Sequence, residues 1–333
     1  MKKKIAALAA FALVVSSLAA CGSTGSTSGA ANSGAASNGG SASAAQLTLA
    51  TGGDSGTYYA VGGVMGTVLS PKLELSSVNA VTTGASVTNI QMIDEGEAQL
   101  GIVQNDVMTY AVNGTDLFEG DAYDSFSAVC SIYAETCQVV ATKDITSIED
   151  LKGKTVSVGD AGSGTEFNAR QILEAYGISF DDINVVNLSF GESANSIKDG
   201  KIDAAFVTAG FPTTAVVELS TTVDINILEI DDEHAAALIE KYPFYTQITV
   251  PAGTYGPVTE DVKTVAVQAT LIASNDLSED VVYELLKVMD ENRDALVNGH
   301  AKFEEFSIES AANGVSIDFH PGAQKYLEEK GVL

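Results

Sequence analysis

The sequence predicts an α/β fold of two similar units joined by long β-strands, and three observations predict it. A strand, polar loop, helix pattern occurs three times between Leu47 and Asp106. The same pattern returns with a second glycine-rich loop between Thr155 and Gly177. Two long β-rich runs, Phe126 to Ala141 and Val262 to Ser274, are placed to carry the chain from one unit to the other and back. Repeated units of this kind build parallel sheets whose polar loops gather at the carboxyl ends of the strands, where ligands bind.

The chain opens with Lys2, Lys3 and Lys4, then an apolar run from Ile5 to Val15, then small residues. That run is too short to span a hydrocarbon core of ~30 Å, so residues 1–20 read as a signal peptide. Its end, Leu18-Ala19-Ala20-Cys21-Gly22, resembles the bacterial lipobox, which is cleaved before a cysteine that is then lipidated. Cys21 is therefore expected to anchor an extracytoplasmic domain to the cell membrane. Residues 21–45, almost wholly Gly, Ser, Ala, Thr and Asn after that cysteine, read as a flexible tether without a core.

The remaining chain, Gln46 to Leu333, is long enough for one large or two modest domains. Removing a leader with three lysines and no acid leaves fourteen basic against 44 acidic residues, a net charge of −30. Nucleic acid and anionic lipid surfaces are poor partners for such a surface. Arg170 and Arg293 are the only arginines. A bound carboxylate would therefore lean on helix N-termini, hydroxyls and amides, or on Arg170 reaching in from its helix. Cys130 and Cys137 are either a disulfide across a short loop or two small buried residues.

In chain order, Leu47 to Ala50 is an apolar strand. Gly52, Gly53 and Gly56 lead from it to a helix beginning at Thr57, so that backbone N–H groups point above the strand end. Val61, Val64, Met65 and Val68 are at helical spacing, and Pro71 ends the helix. Leu75 to Val81 is a second strand, residues 82–86 a polar turn, and Val87 to Glu95 a helix with Val87, Ile90 and Ile93 on one face. Gly101 to Val103 is a buried strand ending in Gln104, Asn105 and Asp106. After the first long β run, Thr155 to Val158 is a strand, residues 159–165 a glycine- and hydroxyl-rich loop, and Glu166 to Tyr176 a helix closed by Gly177. The strand Ile183 to Leu188, a helix through Ala194 to Lys198 and the strand Ile202 to Val207 come next, the last leading into Gly210, Phe211 and Pro212. Val223 to Ile230 is a strand and His234 to Tyr242 a helix. Past the second long run, Ser278 caps an amphipathic helix, and His320-Pro321 opens the last one.

Set in this order, seven stretches resemble the TAXI family of TRAP-transporter solute-binding proteins, across essentially all of Leu47 to Leu333. They are TGGDSGTYYAVGG, TTGASVTNIQMIDEGEAQLGIVQND, VCSIYAETCQVVA, LKGKTVSVGDAGSGT, KDGKIDAAFVTAGFP, KYPFY with TVPAGTYG, and HPGAQKYLEEKG. The resemblance implies a two-lobed periplasmic-binding-protein fold with a ligand cleft between lobes. Residues 46–132 with 262–333 would form lobe 1 and residues 133–261 lobe 2. It implies no enzymatic turnover: the protein would close on an acidic amino acid such as glutamate, or a dicarboxylate, and hand it to an ion-gradient-driven TRAP permease. Two other readings stay open, a binding protein for an ATP-driven importer or sensor, and a hydrolase holding phosphate or acyl groups on its glycine-rich loops.

The candidate ligand-binding residues are those at the strand ends and helix starts. In the first unit they are Gly53 and Ser55 in the opening loop, Tyr58, favoured over Tyr59 by the resemblance, and Ser86 with Asn89, which either meet ligand or cap the second helix. Gln104 offers a directional amide at a strand end, and Asp106 either holds an amino group or caps the next helix. Ser163, Gly164 and Thr165 form the second seat, and Phe211 either walls the cleft or is buried behind Pro212. The lysine of a nucleotide-phosphate loop is missing from that seat. His234, His300 and His320 are scattered, with no carboxylate or cysteine at metal-ligand spacing, so neither a metal, a cofactor nor a catalytic triad is expected.

Overall fold

The computed structural model describes residues 45–333; the expected signal peptide, Cys21 and the tether up to residue 44 lie outside them. Strand β1 (Ala45–Ala50) takes in one residue assigned to the tether, because Ala45 N donates to Leu75 O. Helix α1 (Thr57–Leu69), β2 (Ser76–Val81), α2 (Ser86–Asp94), β3 (Leu100–Gln104) and α3 (Asn105–Asn113) complete the first run of α/β units. The long strand β4 (Phe126–Thr142) leads to β5 (Thr155–Ser157), α4 (Gly164–Ala175), β6 (Asn184–Val186), α5 (Phe190–Lys198) and β7 (Ala204–Ala209). Then come α6 (Thr214–Ser220), β8 (Ile225–Leu228), α7 (Asp232–Lys241), β9 (Thr246–Val250) and the second long strand, β10 (Val262–Ser274). Helices α8 (Glu279–Glu291), α9 (Arg293–Gly299) and α10 (Pro321–Glu329) end the chain. None of the described helices is long and apolar enough to cross a membrane.

The strands form one mixed sheet in the order β2-β1-β3-β10-β4-β7-β5-β6, with β8 beside β4 and β9 beside β10. Expected parallel pairing holds within each flank: β1 runs parallel to β2 and β3, and β5 to β6 and β7. The centre is antiparallel. Strand β4 pairs with β10 from Phe126 to Thr136 and with β7 from Thr136 to Ala141, so it changes neighbours near Thr136. Likewise β10 pairs with β9 over Val262–Ala266 and with β3 over Ala269–Ala273. Two register shifts in the β4–β10 ladder leave extra residues on β4, which raises the local twist where the chain passes between the flanks.

Each flank buries its own apolar layers. Leu47, Leu49, Met65, Leu100, Leu285 and Leu286 belong to one cluster on the first, and Val156, Ile172, Leu173, Phe206 and Leu228 to one on the second. Several bounds differ from the sequence reading for local reasons. Helix α4 begins at Gly164 rather than Glu166 because Ser163 is its N-cap, its Oγ accepting from Glu166 N at 3.3 Å. Helix α5 begins at Phe190, four residues early, because Ser189 and Glu192 form a reciprocal capping box. Strand β9 is absent from the sequence reading; its pattern is mostly exposed and carries no buried run to mark it. Cys130 and Cys137 are free and buried, which removes the disulfide reading; burial pushes the Cys130 thiol up to about 12.

Candidate functional site

Three helices start at the carboxyl ends of parallel strands and point their N-termini at one cavity of about 40 Å³. They are α1 after β1, α2 after β2 and α4 after β5. Neither Gly56, the N-cap of α1, nor Ala85, that of α2, provides a side-chain cap, so first-turn N–H groups stay available at the cavity. Ala85 itself lines the cavity with φ at +70°, a backbone conformation that costs a non-glycine residue ~1–3 kcal/mol. The loops before the helices allow close approach because Gly53, Gly56 and Gly164 present no side chain there.

The crossing strand brings one more group. Glu135 lies on β4 opposite Val267 of β10, one residue before β4 takes up pairing with β7. It lines the cavity, is 2% exposed, and accepts a hydrogen bond from Tyr58 Oη at 2.5 Å. Among the described residues no lysine, arginine or histidine pairs with it. Burial holds its carboxyl well above the ordinary range, with Tyr58 opposing that rise and the charge of Asp106 adding to it.

Seven of the expected residues stand on the cavity wall: Gly53, Tyr58, Ser86, Gln104, Ser163, Gly164 and Thr165. Tyr58 is buried there while Tyr59 points outward, 37% exposed. Ser86 Oγ accepts from the backbone N–H of Gln104 at 3.1 Å, and Gln104 Oε1 is buried without a hydrogen-bond partner. The other four stand elsewhere. Ser55 lies off the wall in the same loop, beside Gly191. Asn89 is fully buried: its Nδ2 donates to Thr51 O and Ile102 O, both at 2.7 Å, and its Oδ1 accepts from Thr83 Oγ1. That ties α2 to β1 and β3 and leaves no atom for a ligand. Asp106 faces Asn168 of α4, whose Nδ2 donates to it at 3.4 Å, and its second oxygen has no partner. Phe211 lies under the Lys302 ammonium, 4.3 Å from ring centroid to Nζ, and so supports the loop after β7 instead of walling the cavity.

Arg170 does not reach in. It is 46% exposed, near Glu166 at 3.8 Å and over the Phe180 ring. The histidines are also engaged away from the cavity: His300 and His320 cap helical turns, and His234 Nδ1 bonds Asp231 Oδ2 at 2.7 Å. Asp231, three residues before it and the N-cap of α7, is thus a carboxylate neighbour of His234. Ser163 and Thr165 accordingly have no histidine base beside them.

Nine wall residues are not among the candidates: Gly52, Gly56, Thr57, Ala85, Glu135, Asp160, Phe190, Thr208 and Ala209. Glu135 had a signal, being the only charged residue of the 17-residue strand FSAVCSIYAETCQVVAT. Thr208 and Ala209 end a buried strand, as Gln104 does. Phe190 had one as well, because Ser189 and Glu192 are spaced as a capping box that starts α5 at Phe190.

The two flanks touch around the cavity. A Cβ built on Gly164 would run into Gln104 Oε1, Thr57 Oγ1 donates to Gly210 O at 3.1 Å, and Gln171 Nε2 donates to Tyr110 Oη at 3.3 Å. The Tyr110 ring also packs against Phe167 and Phe244.

Comparison with known proteins bears on this arrangement. The profile described as the NMT1-like family matches residues 49–331. Among solved structures, a protein from Bordetella bronchiseptica RB50 has a TM-score of 0.53 at 15% identity, covering 85% of this chain and 89% of its own. The binding-protein component of an ABC phosphonate transporter from Pseudomonas aeruginosa has a TM-score of 0.50 at 13% identity, covering 79% and 80%. The alkanesulfonate-binding protein SsuA from Xanthomonas axonopodis pv. citri, bound to MOPS, has 0.49 at 14%, covering 85% and 83%. The fold is the two-lobed α/β fold of periplasmic binding proteins.

Proposed function

The chain belongs to the NMT1-like family, and from that premise we propose that it is an extracytoplasmic solute-binding protein without turnover. It closes on a small polar molecule and presents it to a membrane importer. The observation that carries this reading is the cavity walled by helix N-termini from both flanks of the sheet, with β4 passing between them. Residues 46–132 with 262–333 move as one lobe and residues 133–261 as the other, β4 and β10 being the hinge. The first-turn N–H groups of α1 and α4 receive an anionic group of the ligand. Gly53, Tyr58, Ser86, Gln104, Ser163, Gly164 and Thr165 are the contact residues of this reading.

Two importers are compatible with such a receptor. The sequence resemblance implies an ion-gradient TRAP permease and acidic amino acids or dicarboxylates as ligands. An ATP-driven importer has the better support, because the Pseudomonas aeruginosa neighbour is a component of an ABC transporter. Anchoring through Cys21 would keep the receptor at the membrane in either case.

Small-angle scattering, with and without candidate solutes, tests the reading. A binding solute should lower the radius of gyration by closing the lobes. If no small acid, amine or amino acid binds or compacts the protein, the proposal is wrong.

A further inference from the structure

Resting on the solute-binding reading, we infer that the cleft selects a small zwitterionic amino acid with an uncharged side chain. Glu135 receives its ammonium group, and the N-termini of α1 and α4 receive its carboxylate.

The cavity wall holds a mismatch of charge. Glu135 is buried there with Tyr58 Oη as its hydrogen-bond donor, and among the described residues no cation pairs with it. A buried carboxylate without a cation is costly or stays protonated. A ligand ammonium removes that penalty. Gln104 Oε1, buried on the same wall and without a donor, is a second acceptor waiting for an N–H. Two acceptors, one of them an acid, describe a receptor for a donor-rich cation.

The anion side of the site is limited. Its donors are the uncapped first turn of α1 and, in α4, the N–H groups of Gly164 and Thr165, since Ser163 Oγ already takes Glu166 N; glycines there let an oxyanion approach the backbone. One carboxylate fits that supply. A second would meet no lysine or arginine on the wall and would face Glu135 and Asp160, both of which line the cavity. Like charges in a desolvated site repel strongly, which disfavours glutamate, succinate and other diacids. The cavity is small, about 40 Å³, which favours a compact ligand and requires the lobes to part for one to enter.

The test is calorimetric titration of the full chain, stripped of carried-over ligand by unfolding and refolding. The twenty amino acids, succinate and malate are the probes, and after them the 2-hydroxy acid matching the tightest uncharged amino acid. The amino acid should bind about 100-fold more tightly than its hydroxy acid, and Glu135→Gln should weaken it by about 30-fold or more while leaving succinate weak. A hydroxy acid bound as tightly as its amino acid overturns the inference, and so does a folded E135Q protein with unchanged affinity. Should E135Q fail to fold, the wild-type ratio of amino acid to hydroxy acid decides. If diacids bind and compact the protein while uncharged amino acids do not, this inference falls and the solute-binding reading stands. If no probe of any class binds, both fall.

Discussion

Asp106 shows how one buried group contributes to the pH response of the molecule. Burial is the largest influence on its carboxyl and raises it from 3.8 to about 7, against hydrogen bonds from the backbone and Asn168 that lower it. Between those values the folded protein keeps a proton that the unfolded chain has released. Stability should therefore fall as pH rises from about 4 to about 7 and level off above, by up to ~4 kcal/mol. Glu135, also raised by burial, acts with the same sign. Asp106→Asn should flatten the slope and raise the melting temperature at pH 8 relative to wild type. Ligand-free melts from pH 5 to 8 measure it, and an unchanged slope would show that Asp106 is not the group responsible. The sequence marked Asp106 as special, at the end of a buried strand. Its orientation was not legible, because its partner Asn168 lies 62 residues away on α4.

Elements, in contrast, were largely legible. Helical spacing of Val61, Met65 and their neighbours, the glycine-rich loops and the two long β runs all have local causes, and each became an element near its expected place. Bounds moved where a cap decided them, as at Ser163 and Ser189. The role of Asn89 shows the limit: its spacing from Ser86 suggested a shared ligand face, yet the adjoining strands β1 and β3 offer carbonyls that bind its amide first. Asn89→Ala would leave those carbonyls of Thr51 and Ile102 short of a donor in the core. It should cost ~2–4 kcal/mol in denaturant unfolding while the order of ligand preference stays the same. A loss under ~0.5 kcal/mol, the range of an ordinary surface substitution, would mean that α2 is held by its apolar face alone.

At the scale of the whole molecule, closure depends on how nearly the flanks can meet. Gly164 is the tightest point, where any Cβ would run into the Gln104 side chain. Gly164→Ala should hold the lobes apart, lowering affinity about tenfold and leaving the radius of gyration larger with ligand present. An alanine variant that compacts like wild type would show that Gln104 simply swings aside. The cavity itself could be read from the sequence only in part. Residues at strand ends and helix starts were visible, whereas Glu135 required knowing that β4 passes between the flanks and that Tyr58, 77 residues earlier, faces it.

The sheet order also bears on how the chain is made. Strand β10 lies between β3 and β4, so the first flank cannot reach the crossing strand until Val262–Ser274 has been synthesised. Residues 155–209, by contrast, hold β5, β6 and β7 together and can pair as soon as they emerge. A chain elongating from its N-terminus therefore carries β1, β2 and β3 as an unfinished sheet whose β3 edge stays open until β10 arrives to cover it. Non-local pairing of this kind folds slowly. The ordering of the strands thus leaves the sheet in two separate parts until β10 joins β3 to β4.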